Sequence, residues 1–216
     1  MAGLKENTIR EEILAKVRNA LLDKSSFTYN DIDLTSDVLN TLNRNELEVS
    51  FAQNLIQSGG TFFFCNTINE FYQSFSELIN VNRLPTPWCS SKKIQQLFCE
   101  GGIDFEDYPS KKTKTLINVI ACEKLIAQTG SILVSDLTAG SRKAYASPDI
   151  LIIVAFTNQI VPTLKDAFSA VKQDYKETRK PTQFVVITGP SRTHVIESEF
   201  VKRANGIKEL LVFMIE

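Results

Sequence analysis

The chain has 216 residues, with 24 basic against 25 acidic side chains and a formal net charge of -1. That balance supplies no strong attraction to nucleic acid or to an anionic membrane, so neither is expected as a partner. With 43% hydrophobic and 23% charged residues the chain reads as globular and long enough to bury a sizeable core.

The opening MAGLKENTIREE has no apolar leader segment, and the longest apolar run, Ile150 to Phe156, is too short to cross a bilayer. A cytoplasmic location without a membrane span is expected. Cys65, Cys89, Cys99 and Cys122 form no C-x-x-C pair, and His194 is the single histidine. This spacing argues against a zinc site or a cysteine-bound iron–sulfur cluster in this chain and for reduced, mostly buried thiols.

In chain order, Thr8 with Glu11 has the capping-box form, and Ile9, Ile13, Val17, Ala20 and Leu21 predict an amphipathic helix to about Leu22. Ser25 to Asn45 is polar and reads as an extended connection. Leu47, Phe51 and Leu55 predict a helix over Glu46 to Ser58, stopped by Gly59-Gly60. Thr61 to Cys65 reads as a strand. Asn66 or Thr67 caps the next helix, whose stripe is Ile68, Phe71, Tyr72, Phe75, Leu78 and Ile79. Beyond Pro85 and Pro87, Ser90 or Ser91 opens a small helix with Ile94, Leu97 and Phe98, and Asp104 to Lys114 is a loop.

Strands are predicted at Leu116 to Ile120 and Ser131 to Ser135, with a turn at Thr129-Gly130 between them. Asp136 to Ser147 is a loop, and Asp149 to Phe156 is a continuous apolar strand of the kind buried on both faces of a parallel sheet. Pro162 or Thr163 starts a helix with Leu164, Ala167, Phe168, Val171 and Tyr175 facing inward. The strand Phe184 to Thr188, a helix to about Arg203 and a last strand, Glu209 to Ile215, complete the chain. Alternating strands and helices imply an α/β fold with a mainly parallel sheet over residues 46–216, preceded by an N-terminal helix and connection over residues 1–45.

No Walker loop, dinucleotide fingerprint, nucleophile elbow or zinc-protease helix is present. The stretch FVVITGPSRTHVIE, Phe184 to Glu197, ends a strand on Gly189-Pro190 and then offers Ser191, Arg192 and Thr193. If a helix begins there, its free N–H groups, two hydroxyls and a guanidinium make an anion site; an ordinary capped helix start is the alternative. In a parallel sheet the same end would bring Asp136, Ser141 and Arg142 across one crevice from Ser191 and Arg192, a combination suited to a carboxylate or phosphate. His194 beside this loop is placed for acid–base work or for a structural role.

IAQTGSILVS at Ile126 to Ser135, PDILIIVAFTNQIVP at Pro148 to Pro162 and VITGPSRTHVIE at Val186 to Glu197 resemble the lactate-utilisation (LUD) domain, in its single-domain C-subunit type. The resemblance implies a three-layer α/β/α fold of the NagB/RpiA/CoA-transferase-like class with a Rossmann-like sheet. It also implies an accessory, non-redox role in oxidation of L-lactate to pyruvate, with iron–sulfur clusters held only by partner subunits and no cofactor on this chain. The ligand site it implies consists of Thr129, Gly130, Ser131, Asp136, Ser141, Arg142, Thr188, Gly189, Pro190, Ser191, Arg192 and Thr193, with a small carboxylate or phosphate as ligand. Self-association into a homo-oligomer is left open.

The chain departs from the family pattern at three places. Gln128 stands where the family has the Glu of AETGT, so no carboxylate nucleophile or general base is available there. His194 and Val195 follow GPSRT in place of Ala-Asp, and Asn205-Gly206-Ile207 replaces His-Gly-Pro. The alternatives to the accessory role are a stand-alone CoA-transferase-like or phosphosugar enzyme, which Gln128 disfavours, and a ligand-binding sensor without catalysis.

Overall fold

The structure is a computed structural model, and it describes residues 9–22, 46–109, 115–176, 180–191, 193–194, 200–201 and 206–216. The chain divides into two compact units, Met1–Val38 and Leu39–Glu216. In the first, α1 (Ile9–Leu22) is the helix the apolar spacing requires, and its residues 11–19 are all exposed. Thr8 and the connection Ser25 to Asn45 lie outside the described residues. Among the described residues no helix is long and apolar enough to cross a membrane.

The second unit begins with α2 (Leu47–Gln57), which buries Phe51 and Leu55, and β1 (Thr61–Cys65). Thr67 caps α3 (Ile68–Val81) by accepting from the Glu70 N–H at 3.2 Å, and the Glu70 carboxylate returns to the Asn66 N–H at 2.8 Å. These paired bonds satisfy amides that the first helical turn leaves without partners. After α4 (Lys92–Gly101), closed by Gly102 in the left-handed region, come β2 (Ile117–Ala121), β3 (Lys124–Ile126) and β4 (Ser131–Ser135). A one-turn helix, α5 (Lys143–Ala146), lies inside the expected loop and leads to β5 (Ile150–Phe156) and β6 (Ile160–Val161). Thr163 and Asp166 form a reciprocal capping box at α6 (Leu164–Asp174), followed by β7 (Phe184–Ile187). The chain ends with β8 (Thr193–His194), β9 (Phe200–Val201) and β10 (Glu209–Ile215).

The main sheet has the order β1-β10-β5-β2 and every neighbouring pair is parallel. The two longest strands, β5 and β10, occupy its middle, where their unbroken apolar sequences are covered on both faces. Alternation sorts their side chains. Leu151, Ile153, Leu210, Val212 and Met214 join one core with Phe51 and Leu55 of α2. Ile152, Val154, Leu211 and Phe213 join the other, with Phe71 and Phe75 of α3 and Ile94 and Phe98 of α4. Phe213 stacks on Phe63 at 4.5 Å and meets Phe71 edge-on at 5.4 Å. Helices therefore flank a mainly parallel sheet, the three-layer α/β/α arrangement.

A second sheet, β6-β3-β4-β7, packs beside α2 through Leu125, Ile132 and Val134 and carries α6 on its other face through Leu133, Ala167 and Val171. The parallel pairing expected for most of the domain holds in the main sheet, whereas in this second sheet β4 runs antiparallel to both β3 and β7. The inward face of α6 is also narrower than its spacing implied: Ala167 and Val171 are buried, whereas Phe168 is 42% exposed and leans on Phe184.

A further correction concerns the chain after GPSRT. Its described residues there pair as an antiparallel ribbon, Thr193 with Val201 and His194 with Phe200, so no helix starts at residue 193. The β-branched and aromatic content of this stretch favours extended backbone.

Gly130 tests the contact between α2 and the turn into β4. It has φ +61°, and a Cβ there would lie 2.2 Å from the Leu55 nitrogen, whereas Gly102 has φ +63° with open space around it. Gly102→Ala should cost only backbone strain, about 1–2 kcal/mol. Gly130→Ala should cost clearly more in urea unfolding, because helix backbone must also move; equal losses would mean that the turn does not press on α2.

Candidate functional site

The carboxyl ends of β2 and β5 open onto a crevice roofed by the start of α4 and the end of α6. Open α/β sheets place ligands outside the carboxyl ends of their parallel strands, since main-chain groups there are not consumed by the ladder. One lobe is a cavity of about 520 Å³ lined on its apolar side by Ile94, Leu97, Val154 and Phe156 and on its polar side by Glu123, Lys93 and Tyr175.

Glu123 lies two residues past the end of β2 and is 7% exposed. Its N–H donates to the Leu133 carbonyl at 2.8 Å, which ties the residue to β4. Ser135 Oγ donates to Glu123 Oε1 at 2.5 Å and Tyr175 Oη donates to the same oxygen at 2.9 Å. Ser135 is held in turn by the N–H groups of Leu137 and Thr138, at 3.2 and 3.1 Å. A buried carboxylate is tolerable when hydroxyls and amides replace its water in this way. Burial and the neighbouring Glu123 charge push the Tyr175 hydroxyl up, so it stays protonated and donates. Gln159 Nε2 donates to the Cys122 carbonyl at 2.8 Å and pins the turn that carries Glu123. At the rim, Lys124 pairs with Asp174 at 3.0 Å.

The second lobe, about 710 Å³, shares Lys93, Thr138 and Tyr175 with the first and adds Lys92, Asp136 and Arg142. Asp136 is already engaged: it accepts from the Thr182 hydroxyl at 2.5 Å and from the Thr182 and Gln183 N–H groups at 3.0 and 3.4 Å. Arg142 Nη2 donates to the Thr182 hydroxyl oxygen at 3.1 Å. Lys92 and Lys93 are exposed at the first turn of α4, and among the described residues neither has an acidic partner. Ser141 also lines this lobe, and Ser90 Oγ anchors the loop by donating to the Ala139 carbonyl at 2.5 Å. The lobe therefore has a surplus of positive charge.

The structure thus brings Asp136, Ser141 and Arg142 together but separates them from Thr129 to Ser131 and Thr188 to Ser191. In the antiparallel β4–β7 pair, Ser135 faces Phe184 while Ile132 faces Ile187. Asp136 consequently sits at the beginning of β7, and Thr188 to Ser191 lie at the opposite end, roughly 13 Å away along the ladder. The single crevice expected from parallel strands is corrected on this ground.

At that far end the hydroxyls satisfy one another. Thr129 Oγ1 is 2.7 Å from Ser131 Oγ, which is 2.6 Å from Thr188 Oγ1. Asn54 of α2 donates to the Ala127 and Gln128 carbonyls at 2.8 and 3.2 Å. Gly130 and Gly189 press against the backbone of Leu55 and Ser58, and the Ser191 N–H donates to the Ile207 carbonyl at 2.8 Å. Pro190 closes the turn between Gly189 and Ser191. None of Thr129, Gly130, Ser131, Thr188, Gly189, Pro190 and Ser191 lines either lobe of the crevice. Arg192 lies outside the described residues, and Thr193 and His194 begin the β8–β9 ribbon.

Sequence reasoning missed Glu123, Ser135, Tyr175 and Lys93. Glu123 had a usable signal, an acid between the apolar runs INVIA and KLIA two residues past the end of a buried strand. Tyr175 was expected as a core residue, and its hydroxyl role depends on where α6 ends.

The four cysteines are free, with Cys65, Cys89 and Cys122 buried. Burial pushes the Cys89 and Cys122 thiols up to about 12, so neither is a nucleophile near neutrality. Among the described residues no group of three His, Cys, Asp or Glu side chains could hold a metal ion.

A family model described as the LUD domain matches residues 92–215. The chain is also similar in structure to a crystal structure of a DUF162 family protein from Deinococcus radiodurans. The TM-score is 0.59 at 19% identity, over 82% of this chain and 100% of the other. At that identity the likeness concerns the fold. A comparison with curated proteins finds no match.

The Thr182 hydroxyl and the two N–H groups hold the Asp136 carboxyl below the usual aspartate range. A group with a depressed folded value stabilises the fold above its unfolded value, about 3.9, and that contribution is lost as pH falls through the lower folded value. Urea midpoints measured from pH 6 down to pH 3 should therefore fall more steeply for the wild type than for Asp136→Asn. Parallel curves would show that Asp136 does not anchor the loop to Thr182.

Proposed function

Because the chain belongs to the LUD-domain family, whose membership points to lactate utilisation in general, we propose that it is an accessory, non-redox component of L-lactate oxidation to pyruvate. In this reading it binds a small anionic ligand in the crevice at the carboxyl ends of β2 and β5. It carries no cofactor of its own and works beside partner subunits that hold the iron–sulfur clusters.

The observation that carries the reading is the surplus of cations at the crevice. Lys92 and Lys93 stand at the opening turn of α4 without acidic partners among the described residues, and Arg142 faces the same lobe. The positive end of the α4 dipole adds to their field, and a carboxylate is a natural counter-ion for the combination. The apolar wall of Ile94, Leu97 and Val154 suits a ligand with a short hydrocarbon part.

The hydroxyl cluster at Thr129, Ser131 and Thr188 serves instead as a clamp that ties β4 and β7 together beside α2. This reassigns the residues shared with the family from ligand contact to support.

Calorimetric titration of the whole chain with L-lactate and with pyruvate should give saturable heats that weaken as salt is raised. Lys93→Ala and Arg142→Ala should each lower affinity roughly fivefold, the scale of one partly exposed charge-assisted contact. Co-expression with iron–sulfur proteins of a lactate-oxidising system should yield a complex. A chain that binds neither acid, elutes alone and can be deleted without affecting growth on L-lactate would overturn the proposal.

A further inference from the structure

The least expected group in the crevice is an acid. The crevice whose second lobe carries the surplus of cations also holds, in its first lobe, Glu123, a carboxylate 7% exposed on the wall of the cavity that Lys93 lines too. Against a ligand that was only an anion this carboxylate would be repulsive, so its position asks for a ligand with a hydrogen-bond donor close to its negative group. Both hydrogen bonds from described side chains, those of Ser135 and Tyr175, fall on Oε1. Oε2 keeps its acceptor capacity. Tyr175 stays protonated because of burial and the Glu123 charge, and it spends that proton on Oε1.

We infer that Glu123 is a specificity-determining residue that selects 2-hydroxy acids over 2-oxo acids in this crevice. The inference rests on the anionic-ligand reading above. The ligand carboxylate lies towards Lys93, its 2-hydroxyl donates to Glu123 Oε2, and its short alkyl part meets Ile94 and Val154. A 2-oxo acid brings a carbonyl oxygen to the same point, where two acceptors face each other with no proton between them. The deoxy acid leaves the desolvated carboxylate unpaired, which is the situation in which polar sites discriminate most strongly. A 2-amino acid also brings a donor, and its ammonium would pair with the Glu123 carboxylate, so this residue does not select against it.

The test is a titration of the full chain with L-lactate, pyruvate, propionate and L-alanine under one buffer and salt condition. L-lactate should bind about tenfold or more tightly than pyruvate and propionate, the usual worth of a hydrogen bond to a buried charge, while L-alanine, which also carries a donor, should not be rejected to that extent. In Glu123→Gln, Ser135 and Tyr175 both donate, so they hold the amide oxygen and leave the amide NH2 facing the crevice. The free position then turns from acceptor to donor, and the preference should shift towards pyruvate. Should that variant fail to fold, the wild-type ranking of the four acids decides alone. Equal affinity for L-lactate, pyruvate and propionate would overturn the role of Glu123 while leaving the anion site standing. Absence of binding by all four would remove the anionic-ligand reading and this inference with it.

Discussion

β10, the last seven residues before Glu216, runs between β1 and β5 and pairs with both along nearly its whole length. Each of its side chains from Leu210 to Ile215 enters one of the two cores, Leu210, Val212 and Met214 on one side and Leu211, Phe213 and Ile215 on the other. The strand that closes the sheet is thus also the one that joins α2 to α3 and α4 through apolar contact. Without it β1 has no neighbour, and β5 exposes one edge of its ladder. Its pairings are far apart in sequence, so the loop-closure cost of this sheet is met by long-range burial rather than by local hydrogen bonds.

The crevice follows from that arrangement. Parallel strands end together, so β2 and β5 release their chains at the same level of the sheet, beside the first turn of α4. Glu123 is placed there by the short turn from β2 into β3, and its neighbours arrive from two other directions: Ser135 from the end of β4 and Tyr175 from the end of α6. Three chain segments must meet before this carboxylate is solvated by protein. Such convergence ties the site to the fold and gives Glu123 a fixed position on the wall of the lobe that Lys93 also lines.

The hydroxyls and glycines at the far end of β4 and β7 are engaged with one another and with α2. Thr129, Ser131 and Thr188 spend their hydroxyls on one another, and Gly130 and Gly189 allow main chain to approach α2 at distances no side chain would permit. A strongly patterned loop can be demanded by close packing as readily as by a ligand. Gln128 takes part through its main chain, since its carbonyl receives a bond from Asn54.

From the sequence alone, the character of most elements was already determined. The unbroken apolar runs of β5 and β10 require burial on both faces, and the caps at Thr67 and Thr163 set where α3 and α6 begin. Local periodicity also marked Asp136 and Arg142 as lying in one loop. Only the tertiary structure decided the direction in which β4 meets β7, and therefore which loops share an end. It also decided that the acid after β2 lies beneath the hydroxyl at the end of α6. The reason is physical: spacing along a chain records which side of an element is apolar, whereas the neighbour on that side, its direction and its register are chosen by packing across the whole domain.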